Sequence, residues 1–520
     1  MELDYDYIII GSGFGGSVSA LRLSEKGYRV LVIEKGKWWK PDDFAKNNWQ
    51  LRKWLWAPRL GMRGIFKMTF LNHITALSGV GVGGGSLTYA NTLPVPNDDF
   101  YNSGSWQELA NWKAELAPFY ELAYRMLGTT THPYQGTADH HLEMLTRDLG
   151  LTQHYEPTKV AVYFGQPGQQ VKDPYFSGQG PDRTGCIHCG ACMTGCRHGA
   201  KNTLDQNYLY LAQQRGAKIL AECQVTDVSP RDSGNGDMGY TITYRPRHGG
   251  RKTVTSTGVV FAGGVLGTVP LLLKLKKSSL PRLSDQVGRQ IRTNNEALVN
   301  VVSTDQTQDD FTKGIAIGSI VQTDADSHLE PTIYGKGSGF FKLLMVPWIP
   351  ERNGFRRFGS LISTLITKPV KWFKAFFIGD YASRSTYLLF MQTIDSTLRL
   401  RQGRITPLRT QTETGPAPSA FIPAVTPLVR NYEKQVKGMA FVGFTETLLG
   451  IPTTAHMLGG AVMGASPEQG VIDKNNRIFG YQNMLVCDGS MISANPGVNP
   501  SLTITAISER AMARIPDKQQ

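Results

Sequence analysis

Residues 5–34 set two continuous apolar runs around a stretch of helical periodicity. "YDYIIIGSGFGG" opens with a short apolar run of buried-strand type, and "SVSALRLSEKGY" places apolar residues at helical spacing and closes on Gly27. "RVLVIEKG" is a second apolar strand ending in Glu34. Such a unit predicts a parallel sheet with a right-handed crossover. "GVVFAGGVLGTVPLLLK" (258–274) repeats the strand–glycine–helix pattern, and "NTLDQNYLYLAQQRGAKILAECQVTDVSP" reads as helix then strand. Residues 95–180 are mixed and partly helical, residues 296–450 are richer in alternating strands, and residues 451–520 return to glycine-rich turns before a closing helix. No internal repeat or low-complexity tract interrupts this order.

Two stretches break the pattern by interleaving aromatics with bases: residues 37–70 and "FRRFGSLISTLITKPVKWFKAFFIG" (355–379). The second has the length of a membrane span, but Arg356, Arg357, Lys368, Lys371, Lys374 and Pro369 argue against crossing. Both stretches suit an interfacial element or a flap over a substrate entrance, and equally an ordinary helical layer.

The chain has 520 residues, too many for one simple core, so two intimately linked domains are expected. Its net charge of +13 suits an acidic protein or an anionic lipid surface, and equally a basic but otherwise ordinary surface. No nucleic-acid module accompanies it. Six cysteines, four of them close together, do not make a disulfide framework and suggest a reducing compartment. With no basic-then-apolar leader before the first strand, the expected location is cytoplasmic, with peripheral contact at the inner membrane surface.

Gly11, Gly13 and Gly16 form G-x-G-x-x-G between a strand and a helix. The first glycine permits the tight turn, the second lets backbone approach a pyrophosphate, and the third lets helix pack on strand. The helix N-terminus offers free N–H groups to phosphates, and Glu34 stands where a carboxylate can hold ribose hydroxyls. The pattern predicts a bound dinucleotide; it suits FAD and NAD alike.

Three further stretches resemble the glucose–methanol–choline (GMC) oxidoreductases, in their cholesterol-oxidase-like branch. They are "GVGVGGGSLTYANTL" (79–93), "VVFAGGVLGTVPLLLK" (259–274), and "AHMLGGAVMG" (455–464) with "VCDGSMISANPGVNPSLTITAISERAMARI" (486–515). The resemblance implies an α/β protein with an α+β second domain: a Rossmann-like FAD-binding domain with an inserted sheet-containing substrate domain. The flavin domain would be assembled from residues 1–94, 181–295 and 451–520, with a connecting cap at 95–180 and the substrate domain at 296–450.

The family oxidises alcohols to carbonyls, a base taking the hydroxyl proton while the carbinol hydride passes to flavin N5. By resemblance, Gly11, Gly13, Gly16 and Glu34 hold the ADP half of FAD, while Gly83, Gly84, Gly85 and Ser86 approach the pyrophosphate or flavin edge. Asn91 would sit near the ring, the Val225 backbone would meet adenine, and Asp488 with Gly489 would meet the ribityl chain. His456 and Asn499 match the catalytic pair, Asn499 also facing the flavin. Imidazole titrates near neutrality and suits proton transfer, whereas an amide fixes an oxygen without titrating. The branch also uses a substrate-domain glutamate that no residue here matches; Gln392 lies in a comparable strand but carries no role across.

Cys186, Cys189, Cys192 and Cys196 follow C-x2-C-x2-C-x3-C, a run similar to bacterial ferredoxins, with Arg197 in place of their proline. Three readings stay open: an iron–sulfur cluster (4Fe-4S or 3Fe-4S), metal-free structural cysteines, or a zinc or disulfide site. A cluster would carry electrons from the flavin to an external protein or quinone; without one, oxygen is the natural acceptor. Cys223 and Cys487 read as buried small hydrophobes. The resulting expectation is an FAD-dependent dehydrogenase or oxidase of a small hydrophobic, sterol-like alcohol. A non-enzymatic redox flavoprotein is the alternative.

Overall fold

The computed structural model describes residues 3–232, 234–305, 310–403 and 408–519. Strand β1 (Tyr5–Ile10), helix α1 (Phe14–Glu25) and strand β2 (Val30–Ile33) form the expected unit. β1 lies parallel between β2 and the strand Lys252–Phe261, Ile8 opposite Leu31 on one side and Val259 on the other. Covered on both faces, such a strand stays apolar along its length rather than alternating. The sheet extends through Lys218–Leu220 beyond β2 and through antiparallel Tyr240–Pro246 and Cys223–Pro230 beyond Lys252–Phe261. Met484–Val486 also joins Lys252–Phe261, in parallel, and brings the C-terminal segment into the sheet. The closing helix Ser501–Ala513 packs on α1, where Arg22 pairs with buried Glu509.

The second sheet is antiparallel, in the order Met345–Pro347, Gly438–Gly443, Ala297–Ser303, Ser385–Gln392, Ser327–Thr332, Ser319–Gln322, Tyr155–Pro157. Period-2 alternation assigns its faces. Val299, Val301, Leu329, Leu388 and Phe390 pack with residues of the helices Thr137–Asp148 and Val425–Gln435. Leu298, Thr332, Tyr387 and Leu389 look the other way, into a cavity shared with the first sheet.

Part of the aromatic–basic stretch 37–70 is core, while Trp49, Leu60 and Phe70 are exposed. Trp54 is fully buried and stacks on Phe66 at 4.6 Å, and Trp39 stacks on Phe44 at 5.5 Å. Residues 354–376 form two helices, α2 (Gly354–Thr367) and α3 (Pro369–Phe376). Among the described residues no helix is long and apolar enough to cross a membrane.

Candidate active site

A cavity of about 370 Å³ runs between the sheets, and Gly13, Glu34, Gly84, Gly85, His456, Asp488, Gly489 and Asn499 all line it. Residues from the start, middle and end of the chain therefore meet in one place.

At one end the chain turns sharply at Gly11, whose φ of +105° leaves no room for a side chain: a Cβ would stand 2.4 Å from the Ala262 carbonyl oxygen. A Cβ on Gly16 would meet the Gly11 carbonyl oxygen at 2.2 Å, the tight helix–strand contact expected of the third glycine. Gly13 is open by comparison, with its nearest neighbour at 4.0 Å. α1 begins there without a side-chain cap or an acid in its first turn, so its N–H groups face the cavity unneutralised. The glycine-rich loop closes over this end, with Gly84 at φ +54° and its would-be Cβ 2.6 Å from the Gly13 Cα.

Glu34 is buried and accepts from the Ser12 N–H (3.1 Å), the Ser12 hydroxyl (2.9 Å) and the Gly36 N–H (2.8 Å). Two lysines join it in the lining. Burial lowers the pKa of both Lys35 and Lys67, and Lys35 helps bring Lys67 down to about 8. An anionic diphosphate would neutralise both. Asp488 accepts from the Gly264 N–H (2.9 Å), the Thr268 hydroxyl (2.5 Å) and the Ser490 N–H (2.8 Å).

The remaining sequence-predicted residues stand behind this lining. The Ser86 hydroxyl donates to the Gly83 carbonyl and accepts from Leu204 N–H, bracing the loop. Asn91 is buried at φ +74°, with both side-chain amide atoms unpartnered among the described residues. Val225 is buried at a bulge of the strand Cys223–Pro230. An uncapped helix end, a glycine cradle and two cations fit a bound FAD, whose diphosphate the start of α1 and the 79–85 loop would hold.

The other end holds two carboxylates that sequence reading missed. Glu296 Oε1 accepts from His456 Nδ1 (3.0 Å), the His456 N–H (3.2 Å) and the Thr454 hydroxyl (2.7 Å), while Oε2 accepts from the Ala455 N–H (2.8 Å). With Nδ1 donating to a carboxylate, neutral His456 carries its lone pair on Nε2. Glu330 is fully buried; its Oε2 accepts from Asn499 Nδ2 at 3.3 Å. Its Oε1 has no hydrogen-bond partner among the described residues and lies 3.8 Å from His328 Nε2. Burial lifts Glu330 to about 8, and burial together with nearby His456 takes His328 down to about 3, both toward the neutral form. Asn499 Oδ1 is also buried and unpartnered among the described residues.

Glu330 occupies the strand beside the one that carries Gln392, on the same face as Thr332. Gln392 itself pairs with Ser327, and its backbone carbonyl accepts from Asn495. The available signal was slight: a glutamate within the short strand "SHLEPT" and another just before the apolar run "ALVNVVS". A third buried carboxyl, Glu446, lines the cavity and is also raised by burial to about 8.

The metal expectation at Cys186, Cys189, Cys192 and Cys196 is corrected: among the described residues no group of three or more His, Cys, Asp or Glu side chains is arranged to hold a metal ion. The four thiols line a recess of about 20 Å³. That is room for about one water. Cys186, Cys192 and Cys196 pack with Val160, Val162, Ala200 and Ile315, and burial raises the Cys192 thiol to about 11. Gly190 and Gly195 serve close packing, because a Cβ would meet the Thr312 carbonyl oxygen at 2.9 Å and the Phe44 ring at 2.0 Å. The segment is a structural clamp. Buried Lys201 donates to the carbonyls of Cys192 (2.9 Å), Tyr89 (2.9 Å) and Leu87 (3.1 Å), tying the cysteines to the loop over the cofactor end.

Comparison with known proteins agrees with this geometry. Residues 177–294 and 430–508 match models described as GMC oxidoreductase, and residues 9–37 match an NAD(P)-binding Rossmann-like domain. The chain is 43% identical to a cholesterol oxidase of Acinetobacter baumannii, over 99% of this chain and 95% of that protein. It is 42% identical to a cholesterol oxidase of Mycobacterium tuberculosis, over 100% and 92%. A long-chain-alcohol oxidase of Arabidopsis thaliana is 24% identical, over 99% and 68%. Among solved structures, pyridoxine 4-oxidase from Mesorbium loti superposes with a TM-score of 0.63 at 15% identity, covering 98% of each chain, which speaks to fold alone. With its glycine cradle and its His456–Asn499 pair in one cavity, the chain belongs to the GMC oxidoreductase family, as an FAD-dependent enzyme acting on CH–OH groups.

Proposed function

We propose that this protein oxidises the hydroxyl of a bulky hydrophobic alcohol of sterol type to a carbonyl, with oxygen as the final acceptor. The observation that carries the reading is the His456–Glu296 pair, opening on a cavity that Asn499 also lines and whose wall includes Met68, Leu77, Phe341, Leu344 and Met345. Cholesterol oxidases at 42–43% identity support the substrate class and the acceptor.

Bound FAD supplies the two-electron acceptor for the carbinol hydride. His456 Nε2 takes the hydroxyl proton, and the imidazolium that forms is stabilised through Nδ1 by the Glu296 carboxylate. Asn499 holds the substrate oxygen while its amide is fixed by Glu330. The apolar wall excludes water from the hydroxyl and binds the carbon skeleton. An alcohol of this class partitions into lipid, which places the reaction at a membrane surface.

The test is anaerobic reduction of the purified holoprotein with cholesterol, a long-chain alkanol and glucose, followed by flavin absorbance. Bleaching by the first, abolished in His456→Ala, is expected, with peroxide formed in step with the ketone once oxygen is admitted. Bleaching by glucose alone would refute the substrate class, and product without peroxide would refute the acceptor.

A further inference from the structure

Helices α2 and α3 expose what a soluble surface normally hides. Along α2, Phe355, Phe358, Ile362 and Ile366 recur at three- and four-residue spacing and form one outward stripe, with Phe355 93% and Ile366 71% exposed. Val370, Phe373 and Phe377 continue it at the same spacing along α3 and just beyond its end. Contiguous exposed apolar surface of this kind marks an interaction site.

The inward side is firmly seated. Leu361 and Arg357 are buried, Arg357 donating through Nε to the Thr447 carbonyl (2.6 Å) and through Nη1 to the Glu351 carbonyl (3.2 Å). Ala375 packs with Met439 and Phe441 of the strand Gly438–Gly443. The stripe is therefore presented by a docked element and is not a frayed end.

We propose that this hairpin docks the protein on an anionic lipid surface, apolar stripe inward to the acyl chains. Charge decides the occupant. Arg356, Lys368, Lys371 and Lys374 are exposed around the stripe, and residues 354–379 contain no acid. This composition fits anionic headgroups flanking an apolar interior. A second copy of the chain would bring the same cations together across a two-fold interface, so self-association is disfavoured.

The hairpin also sits against the cavity wall. α2 packs on residues 445–449 and α3 on the strand Gly438–Gly443, and Gly443, Phe444, Thr445 and Glu446 from these segments line the cavity. Docking would place lipid beside that wall. The inference rests on the proposed function for what passes from lipid to cavity, while the docking itself is read from the hairpin.

The experiment is co-sedimentation of the holoprotein with phosphatidylcholine vesicles, with and without phosphatidylserine. Wild type should pellet with the phosphatidylserine vesicles. Lys371→Gln with Lys374→Gln should weaken partition by roughly thirtyfold, and Phe355→Ser with Ile366→Ser by at least about tenfold. Retained FAD and an unchanged melting temperature show that these exposed substitutions leave the fold intact. Absence of wild-type binding, or binding equal in all variants, would overturn the proposal. So would lipid-free dimerisation abolished by the apolar variants, which would assign the stripe to a second copy. Vesicle binding without flavin reduction by any alcohol would refute the proposed reaction and leave the docking standing.

Discussion

Glu296→Gln tests how the His456 end works. Three donors converge on Oε1 and one on Oε2. The replacement amide will therefore keep its oxygen at the Oε1 position and turn its NH₂ toward the Ala455 N–H. One buried hydrogen bond is lost, costing about 1–3 kcal/mol. Spread over the unfolding entropy of a 520-residue chain, that lowers the melting temperature by roughly 1–3 °C, so the protein still folds. The kinetic effect is larger. A neutral amide cannot stabilise the imidazolium formed as His456 takes the proton, and loss of a charge-assisted bond of about 1.5–3 kcal/mol slows that step roughly 10- to 150-fold. Because this interaction strengthens only as charge develops, the loss falls on kcat rather than KM. Anaerobic stopped-flow reduction of the bound flavin measures it directly. A reduction rate within twofold of wild type, with FAD fully retained, would refute the assignment of Glu296 as the group that orients and supports His456.

Glu446→Gln should flatten the fall of stability with rising pH. A carboxyl raised from 4.5 to about 8 stays protonated in the folded chain while the unfolded chain ionises, so stability declines between those values, by up to about 1.4 kcal/mol per pH unit; unchanged melting profiles from pH 5 to 8 would count against the burial. Lys67→Met should weaken FAD and ADP binding to the apoprotein by roughly 10- to 100-fold and leave riboflavin unaffected, as isothermal titration would report; equal losses for all three would exclude a diphosphate contact. Gly84→Ala, with its Cβ forced to 2.6 Å from Gly13, should give protein that purifies without flavin. A chelator should leave the anaerobic reduction rate unchanged, and stoichiometric iron with acid-labile sulfide in the purified protein would overturn the clamp assigned to the cysteines.

The dinucleotide unit was legible because everything it needs lies within some thirty residues of chain. Turn, helix start and terminal acid at Gly11, Gly13, Gly16 and Glu34 are local consequences of backbone sterics, and no distant contact can rearrange them cheaply. That His456 and Asn499 belong together was legible from their glycine-rich turns, and the structure brings both to one cavity; their catalytic roles are the proposal made above. The cysteines were legible only as a spacing. Spacing gives the reach of four sulfurs along the chain but not what packs against them, and that was set by neighbouring Ala200 together with Val160 and Ile315 from elsewhere in the chain.

By itself, then, the sequence determined the α/β class, the dinucleotide fingerprint and the imidazole proposed to take the proton. Tertiary structure alone decided what that imidazole works with. Glu296 stands 160 residues from His456, and Glu330 stands 169 from Asn499. Each reaches its partner only because the antiparallel sheet faces the glycine-rich turns across the cavity. The same holds for the two aromatic–basic stretches, alike in composition: one closes a core around Trp54 and Phe66, the other turns its stripe outward. The physical reason is that burial belongs to a position in space, and composition fixes only what burial there would cost or gain.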